Sequence, residues 1–507
     1  MKGCQAERGS TLRACHAKAD GTVITHPVHP RRFPRAAIVL VAILSAGPLA
    51  GCAMLSKLKM VEIHQESALR EDRNPVIVIP GFIGSKLKNL QTHESVWGRF
   101  VDAFKRGSPD DLRLPIDLRP IIANRDDLVA YDIFESVAGV KFYGGLLDAL
   151  RDVGGYRFGD IDDPVAGDTA FVYTYDWRRC NVEAAIGLGR AIERIQERLR
   201  APGLRFDIVA HSMGGLVAQY YLKYGTEDVV SGGREHPVRY AGAPNLGRVV
   251  LLGVPSRGTM SAFRSLNTGI SRAMSTEVLF TMPSIYQLLP YDGRGHFVDP
   301  QGNPLDVDLY DASAWMRNGW SVFNPGHRFG HLEALGVDGT RPVRRGPRDD
   351  SIARLSGFLQ ASLERARAFH AALEREGAEG APVPVHIFGS DCVPTLDRAV
   401  LKPTSQGMLT LFGDEATPRR DARLIDRIMM APGDGTVTAD SLRAVPPAGA
   451  SAAGAWPARN AAFASTFMFC ASHGLMPNSR GFQSNLFYVL FHAPHRPDPS
   501  VRAGIGR

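Results

Sequence analysis

Short apolar runs rich in β-branched and aromatic residues recur along this chain, and they constrain its fold more than any other feature. Six runs of this kind occupy residues 76–79, 170–175, 206–210, 249–253, 385–388 and 466–470. Strands with nearly continuous apolar sequences are typical of a parallel sheet that is covered on both faces. The runs therefore predict an α/β fold in which a mostly parallel sheet lies between two layers of helices.

The segments between the runs contain the helices that such a sheet requires. Apolar residues recur at spacings of three and four in two of these segments: Leu188, Ile192, Ile195 and Leu199 in one, and Phe142, Leu146, Ala149, Leu150 and Val153 in the other. This spacing is typical of an amphipathic helix with one buried face. The alternation of strands and amphipathic helices supports the α/β assignment.

Residues 259–380 interrupt this alternation. They combine loops rich in Gly, Pro and Asp with aromatic residues and a long helical pattern over residues 352–373. Because the segment lies between predicted strands, we interpret it as a cap inserted into a core that residues 74–258 and 381–493 form together. Residues 494–507, rich in Pro, Arg and Gly, are predicted to be a disordered tail.

The N-terminal region has the three parts of a secretory signal. Arg31, Arg32 and Arg35 precede an apolar stretch over residues 36–44, which gives way to small residues before Cys52. The stretch is shorter than the roughly 20 residues that a membrane-spanning helix needs. A plain secretory leader and a buried N-terminal helix are the alternatives.

The ending Leu49-Ala-Gly-Cys52 resembles the lipobox of bacterial lipoproteins, in which the cysteine is lipidated and becomes N-terminal after cleavage. We therefore expect residues 1–52 to be a lipoprotein leader, Cys52 the lipidation site and residues 53–73 a tether. By the same resemblance, Ala53 in place of Asp favours the outer membrane of a Gram-negative bacterium. Several acyl chains on one cysteine would anchor the exported protein firmly.

Charge and cysteine usage argue against nucleic-acid binding and against a zinc site. Residues 1–51 hold seven of the 59 Lys and Arg and two of the 52 Asp and Glu, which leaves residues 52–507 close to neutral. Nucleic-acid binding requires a basic face on the body itself. The body cysteines, Cys180, Cys392 and Cys470, lack zinc-site spacing, and no metal is expected. Export would permit one disulfide among them, and their spacing does not select the pair.

The segment around Ser212 gives the strongest indication of chemistry. A predicted strand leads into Ala210-His-Ser-Met-Gly214, and a helical pattern follows at once. This arrangement resembles the nucleophile elbow G-x-S-x-G of α/β-hydrolases, with Ala210 replacing the first glycine. Small residues permit the sharp turn that would expose the serine hydroxyl at the carboxyl end of the sheet. Ser212 is therefore the candidate nucleophile.

A serine hydroxyl becomes nucleophilic when a histidine removes its proton and an acid orients that histidine. In α/β-hydrolases the three residues follow the chain order Ser, acid, His. His473 follows the last apolar run and is the candidate base, whereas His492 continues an apolar pattern and His495 lies in the tail. Two acids remain candidates: Asp434 in a Gly-lined turn, and Asp391 just beyond the fifth run.

Six segments match, in order, a pattern shared by one family of lipid-acting enzymes. They are Asn74-Pro-Val-Ile-Val-Ile-Pro-Gly-Phe-Ile-Gly-Ser-Lys-Leu87, Tyr175-Asp-Trp-Arg178, Ala210-His-Ser-Met-Gly214, Leu252-Gly-Val-Pro-Ser-Arg-Gly258, Gly433-Asp-Gly-Thr-Val437 and His473-Gly474. From about residue 74 to 490 the chain thus resembles the lecithin:cholesterol acyltransferase family, although the cap is not matched in detail. The resemblance implies an α/β-hydrolase fold with an inserted cap and a catalytic triad of Ser212, Asp434 and His473.

The resemblance also implies an oxyanion hole formed by the backbone amides of Phe82 and Met213. It places Trp97 in the acyl cleft, for which a half-buried structural aromatic is the alternative. The motif Tyr175-Asp-Trp-Arg178 is interpreted as a structural strand end, in which Asp176 and the arginine fix the adjoining loop.

Together these features predict a serine-dependent lipid acyl hydrolase or O-acyltransferase that acts on phospholipid or acylglycerol esters through an acyl-enzyme, without a cofactor. Its partners would be the lipid ester and, through the lipidated N-terminus, a membrane. The alternatives are a carboxylesterase for soluble short-chain esters and a catalytically silent surface lipoprotein that binds ligands. The sequence does not decide between water and a lipid alcohol as acyl acceptor, and it leaves the oligomeric state open.

Overall fold

The computed structural model describes twelve segments of the chain. They are residues 73–98, 112–116, 125–137, 140–232, 236–271, 274–292, 294–324, 348–378, 380–405, 407–413, 428–445 and 463–493. The predicted lipidation site Cys52 and the predicted leader and tail lie outside these residues, as does the predicted tether up to residue 72.

The described residues form sixteen strands, and helices separate those that match the six apolar runs. In chain order they are β1 (Val76–Ile79), β2 (Ser85–Asn89), β3 (Ser95–Trp97), β4 (Leu128–Ile133), β5 (Ser136–Val137), β6 (Val140–Lys141), β7 (Ala170–Val172), β8 (Phe206–His211), β9 (Leu246–Leu252), β10 (Phe297–Val298), β11 (Val385–Gly389), β12 (Val393–Leu396), β13 (Ala399–Thr404), β14 (Gly407–Leu411), β15 (Met430–Gly433) and β16 (Ser465–Met468).

All six apolar runs enter one central sheet. Its strand order is β16-β11-β9-β8-β1-β7, and every neighbouring pair is parallel. Strands β1, β8 and β9 are buried along their whole length, because helices cover both faces of the sheet. The predicted α/β architecture with a mostly parallel sheet is confirmed.

The α-helices of the described residues complete the layers. They are Gly144–Asp152, Asn181–Arg198, Met213–Tyr224, Met260–Thr268, Thr276–Phe280, Pro283–Tyr286, Ala312–Asn318, Arg348–Glu374, Ala439–Leu442 and Arg480–Phe491. No helix in the described part of the chain is long and apolar enough to cross a membrane.

The two faces of the sheet pack against different helices, as alternation along a strand requires. In β1, Ile77 and Ile79 belong to the apolar cluster that contains the helices Asn181–Arg198 and Met213–Tyr224. Val76 and Val78 belong to the opposite cluster, with Gly144–Asp152 and Arg480–Phe491. Both predicted amphipathic helices are therefore present, and the structure places them on opposite faces of the sheet.

The segment predicted as a cap contains mainly helices. Strand β10, within this segment, pairs with β13, which in turn pairs with β14. The segment thus shares a three-stranded sheet with residues that follow it, so backbone hydrogen bonds continue across the predicted boundary at residue 380. The boundary itself stays a prediction.

Arg178, the last residue of the Tyr175-Asp-Trp-Arg motif, is completely buried. Its guanidinium forms ion pairs of 2.7 Å with the carboxylates of Asp126 and Asp176. The indole nitrogen of Trp177 donates a hydrogen bond of 2.9 Å to the carbonyl of Ser85. The motif therefore joins the end of β7 to neighbouring loops, which agrees with its interpretation as a structural strand end.

A buried ion pair joins β8 and β9 near their amino-terminal ends, whereas the candidate nucleophile follows the carboxyl end of β8. Asp207 and Arg248 are register partners, their Oδ2 and Nε atoms lie 3.0 Å apart, and both side chains are 2% exposed. The amide of Asn74 donates to the other carboxylate oxygen of Asp207 at 2.9 Å. Each charge is buried together with its counter-charge, as interior ions require.

We expect Asp207→Ala to lower the free energy of unfolding by about 3–5 kcal/mol, because Arg248 would stay buried without its carboxylate. Guanidinium chloride denaturation measures the change. The matched control is Asp132→Ala, which removes a surface pair of 2.6 Å with Lys86 and should cost at most about 1 kcal/mol. Equal losses in the two variants would contradict this assignment.

Candidate active site

Ser212 occupies a sharp turn between β8 and the helix Met213–Tyr224. Its backbone angles, φ 53° and ψ −129°, lie in a region that a non-glycine residue adopts only when its surroundings force it. A Cβ atom on Gly214 would lie 2.4 Å from the carbonyl oxygen of Pro80, so this position requires glycine. Ala210, at the first position of the motif, is fully buried without disturbing the turn.

The three residues that the sequence proposes as a triad meet in one hydrogen-bonded chain. The hydroxyl of Ser212 donates to Nε2 of His473 at 2.8 Å. Nδ1 of His473 lies 2.8 Å from Oδ2 of Asp434 and, in the tautomer that this contact requires, donates to it. The other carboxylate oxygen accepts the amides of Thr436 and Val437 at 2.9 and 2.7 Å.

The acid lies in a glycine-lined turn whose backbone is hydrogen-bonded to the base. Asp434 lies between Gly433, the last residue of β15, and Gly435, whose φ of 90° suits glycine. The amide of His473 also donates to the carbonyl of Asp434 at 2.9 Å. Two hydrogen bonds, one from the main chain and one from the side chain, therefore fix the histidine on the acid.

Asp391, the other candidate acid, lies outside this chain. Its carboxylate faces Arg443 at 3.5 Å, and its side chain is 48% exposed. A hydrogen bond joins the base to Asp434 instead, and the Asp434 side chain is 3% exposed. The structure therefore brings together Ser212, Asp434 and His473, and it leaves Asp391 at the surface.

Two amides beside Ser212 are free to receive a ligand oxygen. Met213 is the first residue of its helix, so its amide has no intrahelical acceptor. Phe82 follows Gly81, at which an added Cβ would lie 3.3 Å from the hydroxyl oxygen of Ser212. Among the described residues neither the Phe82 nor the Met213 amide has an acceptor. An oxyanion hole requires such unengaged amides, and its assignment to Phe82 and Met213 stays a prediction.

The triad opens into a cavity of about 470 Å³ whose lining is mainly apolar. Side chains in the lining include Phe82, Ile83, Trp97, Phe134, Ala262, Ile285 and Leu288. The indole nitrogen of Trp97 donates to the carbonyl of Ile83 at 3.1 Å, and the ring is 8% exposed. Trp97 therefore lines this cavity and is held by a structural hydrogen bond, and its role in binding an acyl chain stays a prediction.

A disulfide lies close to the base in sequence. Cys392 and Cys470 are bonded, with their Cα atoms 5.5 Å apart. Cys470 precedes His473 by three residues, so the bond ties the loop that carries the base to the segment after β11. Cys180, the third body cysteine, is a buried free thiol. The structure thus selects one of the three pairings that the sequence leaves open.

Two residues of the cavity lining, Tyr143 and His211, received no role from the sequence. The hydroxyl of Tyr143 lies 2.7 Å from Nδ1 of His211. Burial and the neighbouring His473 lower the pKa of His211 well below its ordinary value, and burial raises the pKa of Tyr143 above its ordinary value. Both side chains are therefore neutral near pH 7. Because 68 residues separate them, no local pattern could have indicated the contact.

The described residues show no group of three or more His, Cys, Asp or Glu side chains that could hold a metal ion. The polar atoms of the site are those of Ser, His and Asp side chains and of backbone amides. This set suits acyl transfer through a serine nucleophile, and each member has a role in such a reaction.

Comparison with known proteins supports the fold and the family resemblance. The family model for lecithin:cholesterol acyltransferase matches residues 162–306, which include Ser212. Phospholipase A(1) LCAT3 of Arabidopsis thaliana is 28% identical over 255 residues, which span 43% of this chain and 52% of that protein. Protein YJR098C of Saccharomyces cerevisiae is 26% identical over 260 residues, 50% of this chain and 35% of the yeast protein.

Among solved structures, the crystal structure of the Tle4-Tli4 complex contains a chain with the same fold. It is 15% identical, with a TM-score of 0.51, and the match covers 82% of this chain and 98% of that one. The α/β-hydrolase fold and the predicted resemblance to the acyltransferase family are confirmed. The matches span about half or less of the length of the two curated relatives.

We expect Asp434→Asn to reduce kcat by about 10⁴-fold, because an amide stabilises the wrong imidazole tautomer and cannot stabilise the imidazolium. Hydrolysis of a p-nitrophenyl ester measures the loss. Asp391→Asn is the matched control and should leave kcat unchanged. Retained activity in Asp434→Asn, together with loss of activity in Asp391→Asn, would identify Asp391 as the catalytic acid.

Proposed function

We propose that this α/β-hydrolase, related through residues 162–306 to the lecithin:cholesterol acyltransferase family, is a serine-dependent lipid acyl hydrolase or O-acyltransferase that acts on phospholipid or acylglycerol esters. One observation carries the proposal. The hydrogen-bonded chain from Ser212 through His473 to Asp434 opens directly into a mainly apolar cavity of about 470 Å³.

In the first step, the hydroxyl oxygen of Ser212 attacks the ester carbonyl carbon while Nε2 of His473 removes the hydroxyl proton. The carbonyl oxygen becomes an oxyanion, which the amides of Phe82 and Met213 would stabilise by about 3–4 kcal/mol for each donor. Asp434 stabilises the resulting imidazolium. The C–O bond of the ester then breaks, the leaving alcohol or lysolipid takes the proton from His473, and an acyl-serine remains.

In the second step, an acceptor hydroxyl attacks the acyl-serine, and His473 removes the proton from that hydroxyl. Collapse of the second tetrahedral intermediate returns the proton to Ser212 and releases the acylated acceptor. Water as acceptor gives a lipase or phospholipase, and a lipid alcohol gives an acyltransferase. The same triad serves both outcomes, so the balance depends on how well the cleft excludes water.

The cavity supports a lipid substrate over a small soluble ester. Each buried methylene of an acyl chain contributes about 0.8 kcal/mol, and a mainly apolar lining can bury many methylenes without desolvating charged groups. The name of the Arabidopsis relative, a phospholipase A(1), points to the same substrate class for that protein. Lipidation at Cys52, which would hold the enzyme at a membrane, is part of the proposal and rests on the lipobox resemblance alone.

We expect Ser212→Ala and His473→Ala each to abolish turnover of p-nitrophenyl palmitate and of phospholipid liposomes, because the first lacks the nucleophile and the second its base. The residual rate should be at least about 10⁴-fold lower than that of the wild type. Product analysis by mass spectrometry, with and without diacylglycerol or a sterol, identifies the acceptor. If the wild type cleaves only short-chain esters and leaves liposomes untouched, the carboxylesterase alternative replaces the lipid assignment.

A second prediction concerns the cavity itself. Ala262 lines the cavity and is buried, so Ala262→Phe should fill space that a long acyl chain needs. We expect kcat/KM for p-nitrophenyl palmitate to fall by about 10–100-fold, because a few methylene contacts are lost. The kcat/KM for p-nitrophenyl butyrate should change little. Thr268→Phe, at an exposed position of the same helix, is the control. An equal effect on both ester lengths would contradict an acyl-binding cavity.

A further inference from the structure

A second hydrogen-bonded chain runs behind Ser212 and ends on the main chain of the base. The amide of Gly81 donates to the hydroxyl oxygen of Tyr143 at 2.9 Å, and that oxygen lies 2.7 Å from Nδ1 of His211. Nε2 of His211 lies 3.2 Å from the carbonyl oxygen of His473. The chain therefore connects the loop that carries the Phe82 amide with the residue that carries the catalytic imidazole.

Each donor and acceptor in this chain has only one consistent assignment. The Gly81 amide can only donate, so the Tyr143 oxygen accepts there and uses its single proton toward Nδ1 of His211. Nδ1 is then an acceptor, which places the ring proton on Nε2, where it is donated to the His473 carbonyl. One tautomer of a neutral imidazole satisfies all three contacts, whereas a protonated ring would oppose the tyrosine proton.

Burial keeps the chain in this state. Tyr143 is 5% and His211 7% exposed. Desolvation and the neighbouring His473 imidazole lower the pKa of His211 well below its ordinary value, while the backbone contact opposes this shift without reversing it. His211 is therefore a neutral imidazole with both nitrogens engaged. Neither nitrogen is available to Ser212, so His211 does not act as the base.

The chain has fixed supports at both ends. The His473 amide donates to the Asp434 carbonyl at 2.9 Å, so the main chain of the base is held on both its N–H and C=O groups. Asn478, the last residue of the short helix that begins at His473, accepts the Gly145 amide at 3.0 Å and donates to the Phe142 carbonyl at 2.8 Å. The segment after the base is therefore hydrogen-bonded to the backbone on both sides of Tyr143.

We propose that Tyr143 and His211 are positioning residues, which hold the oxyanion-hole loop and the catalytic imidazole at a fixed separation through one hydrogen-bonded chain. The inference rests on the proposed acyl transfer. A tetrahedral intermediate needs its oxyanion donors and its general base in place at the same time, and small displacements of either are costly in rate. Gly81 directly precedes Phe82 in the sequence. The hydrogen bond from the Gly81 amide to Tyr143 therefore fixes the position of the Phe82 amide.

The test is a double-mutant cycle of Tyr143→Phe, His211→Leu and the combined variant, with kcat and KM measured on p-nitrophenyl octanoate. We expect each single variant to lower kcat by about 10–100-fold with KM within about twofold of the wild type, because transition-state positioning is lost and substrate binding is not. The combined variant should lose no more than the worse single variant, since both substitutions break the same chain.

The matched control is Tyr173→Phe. Tyr173 is also buried, and its hydroxyl donates a hydrogen bond of 2.7 Å to the Ala184 carbonyl, away from the proposed chain of hydrogen bonds. Thermal unfolding should show a decrease in Tm for both Tyr143→Phe and Tyr173→Phe, because each loses buried hydrogen bonding, while kcat falls only in the first. Equal kcat values for Tyr143→Phe and the wild type would overturn the inference, as would a combined loss equal to the product of the single losses.

Labelling of the wild-type protein with a fluorophosphonate separates this inference from the proposed function. If Ser212 is labelled and Tyr143→Phe is labelled at the same rate, the positioning role is wrong and the serine chemistry stands. If folded wild-type protein is not labelled at Ser212, the proposed function is wrong and the positioning role falls with it. Slower labelling of Tyr143→Phe, with wild-type labelling intact, supports both.

Discussion

The backbone of Ser212 is the constraint on which the site depends. At φ 53° the residue is held in a conformation that costs about 1–3 kcal/mol for a non-glycine residue, and close backbone contacts leave it no relaxed alternative. The turn packs directly against Pro80 and Gly81, which follow β1: an added Cβ on Gly81 would lie 2.7 Å from the Cβ of Ser212, and one on Gly214 would lie 2.4 Å from the Pro80 carbonyl oxygen. The strain is offset by the burial of β1 and β8, whose side chains are covered on both faces of the sheet. The ends of these strands therefore hold the Ser212 hydroxyl within hydrogen-bond distance of His473.

The remaining parts of the site reach this turn from distant parts of the chain. His473 lies 261 residues from Ser212 and 39 from Asp434, and its loop follows β16 at the edge of the central sheet. The disulfide of Cys392 with Cys470 and the clamp of Asn478 on the segment around Tyr143 fix that loop from two directions. Preorganisation of this kind reduces the reorganisation that a charged transition state would otherwise require. Both supports lie outside the triad, and each limits the motion of the base.

Much of the fold, and the nucleophile within it, follow from local patterns in the sequence. The six apolar runs all become strands of one parallel sheet, because a strand buried on both faces must be apolar along its length. The smaller sheets have no clear signal in the sequence, because strands such as β2 and β14 are partly exposed and carry mixed sequences. Turn chemistry alone could not choose between Asp434 and Asp391, since an aspartate in a glycine-rich turn is often structural. The disulfide pairing and the contact of Tyr143 with His211 depend on tertiary contacts between segments that are remote in the sequence, and no sequence pattern indicates such contacts.

We propose that Ser212 carries the acyl group between donor and acceptor. Rapid acid quenching during turnover of a slowly deacylating long-chain ester, followed by proteolysis and mass spectrometry, measures this directly. We expect a peptide that contains Ser212 and is heavier by the mass of the acyl group. The modification should be localised to that serine and absent when His473 is replaced by alanine. An acyl group found on another residue, or turnover without any acylated peptide, would contradict it.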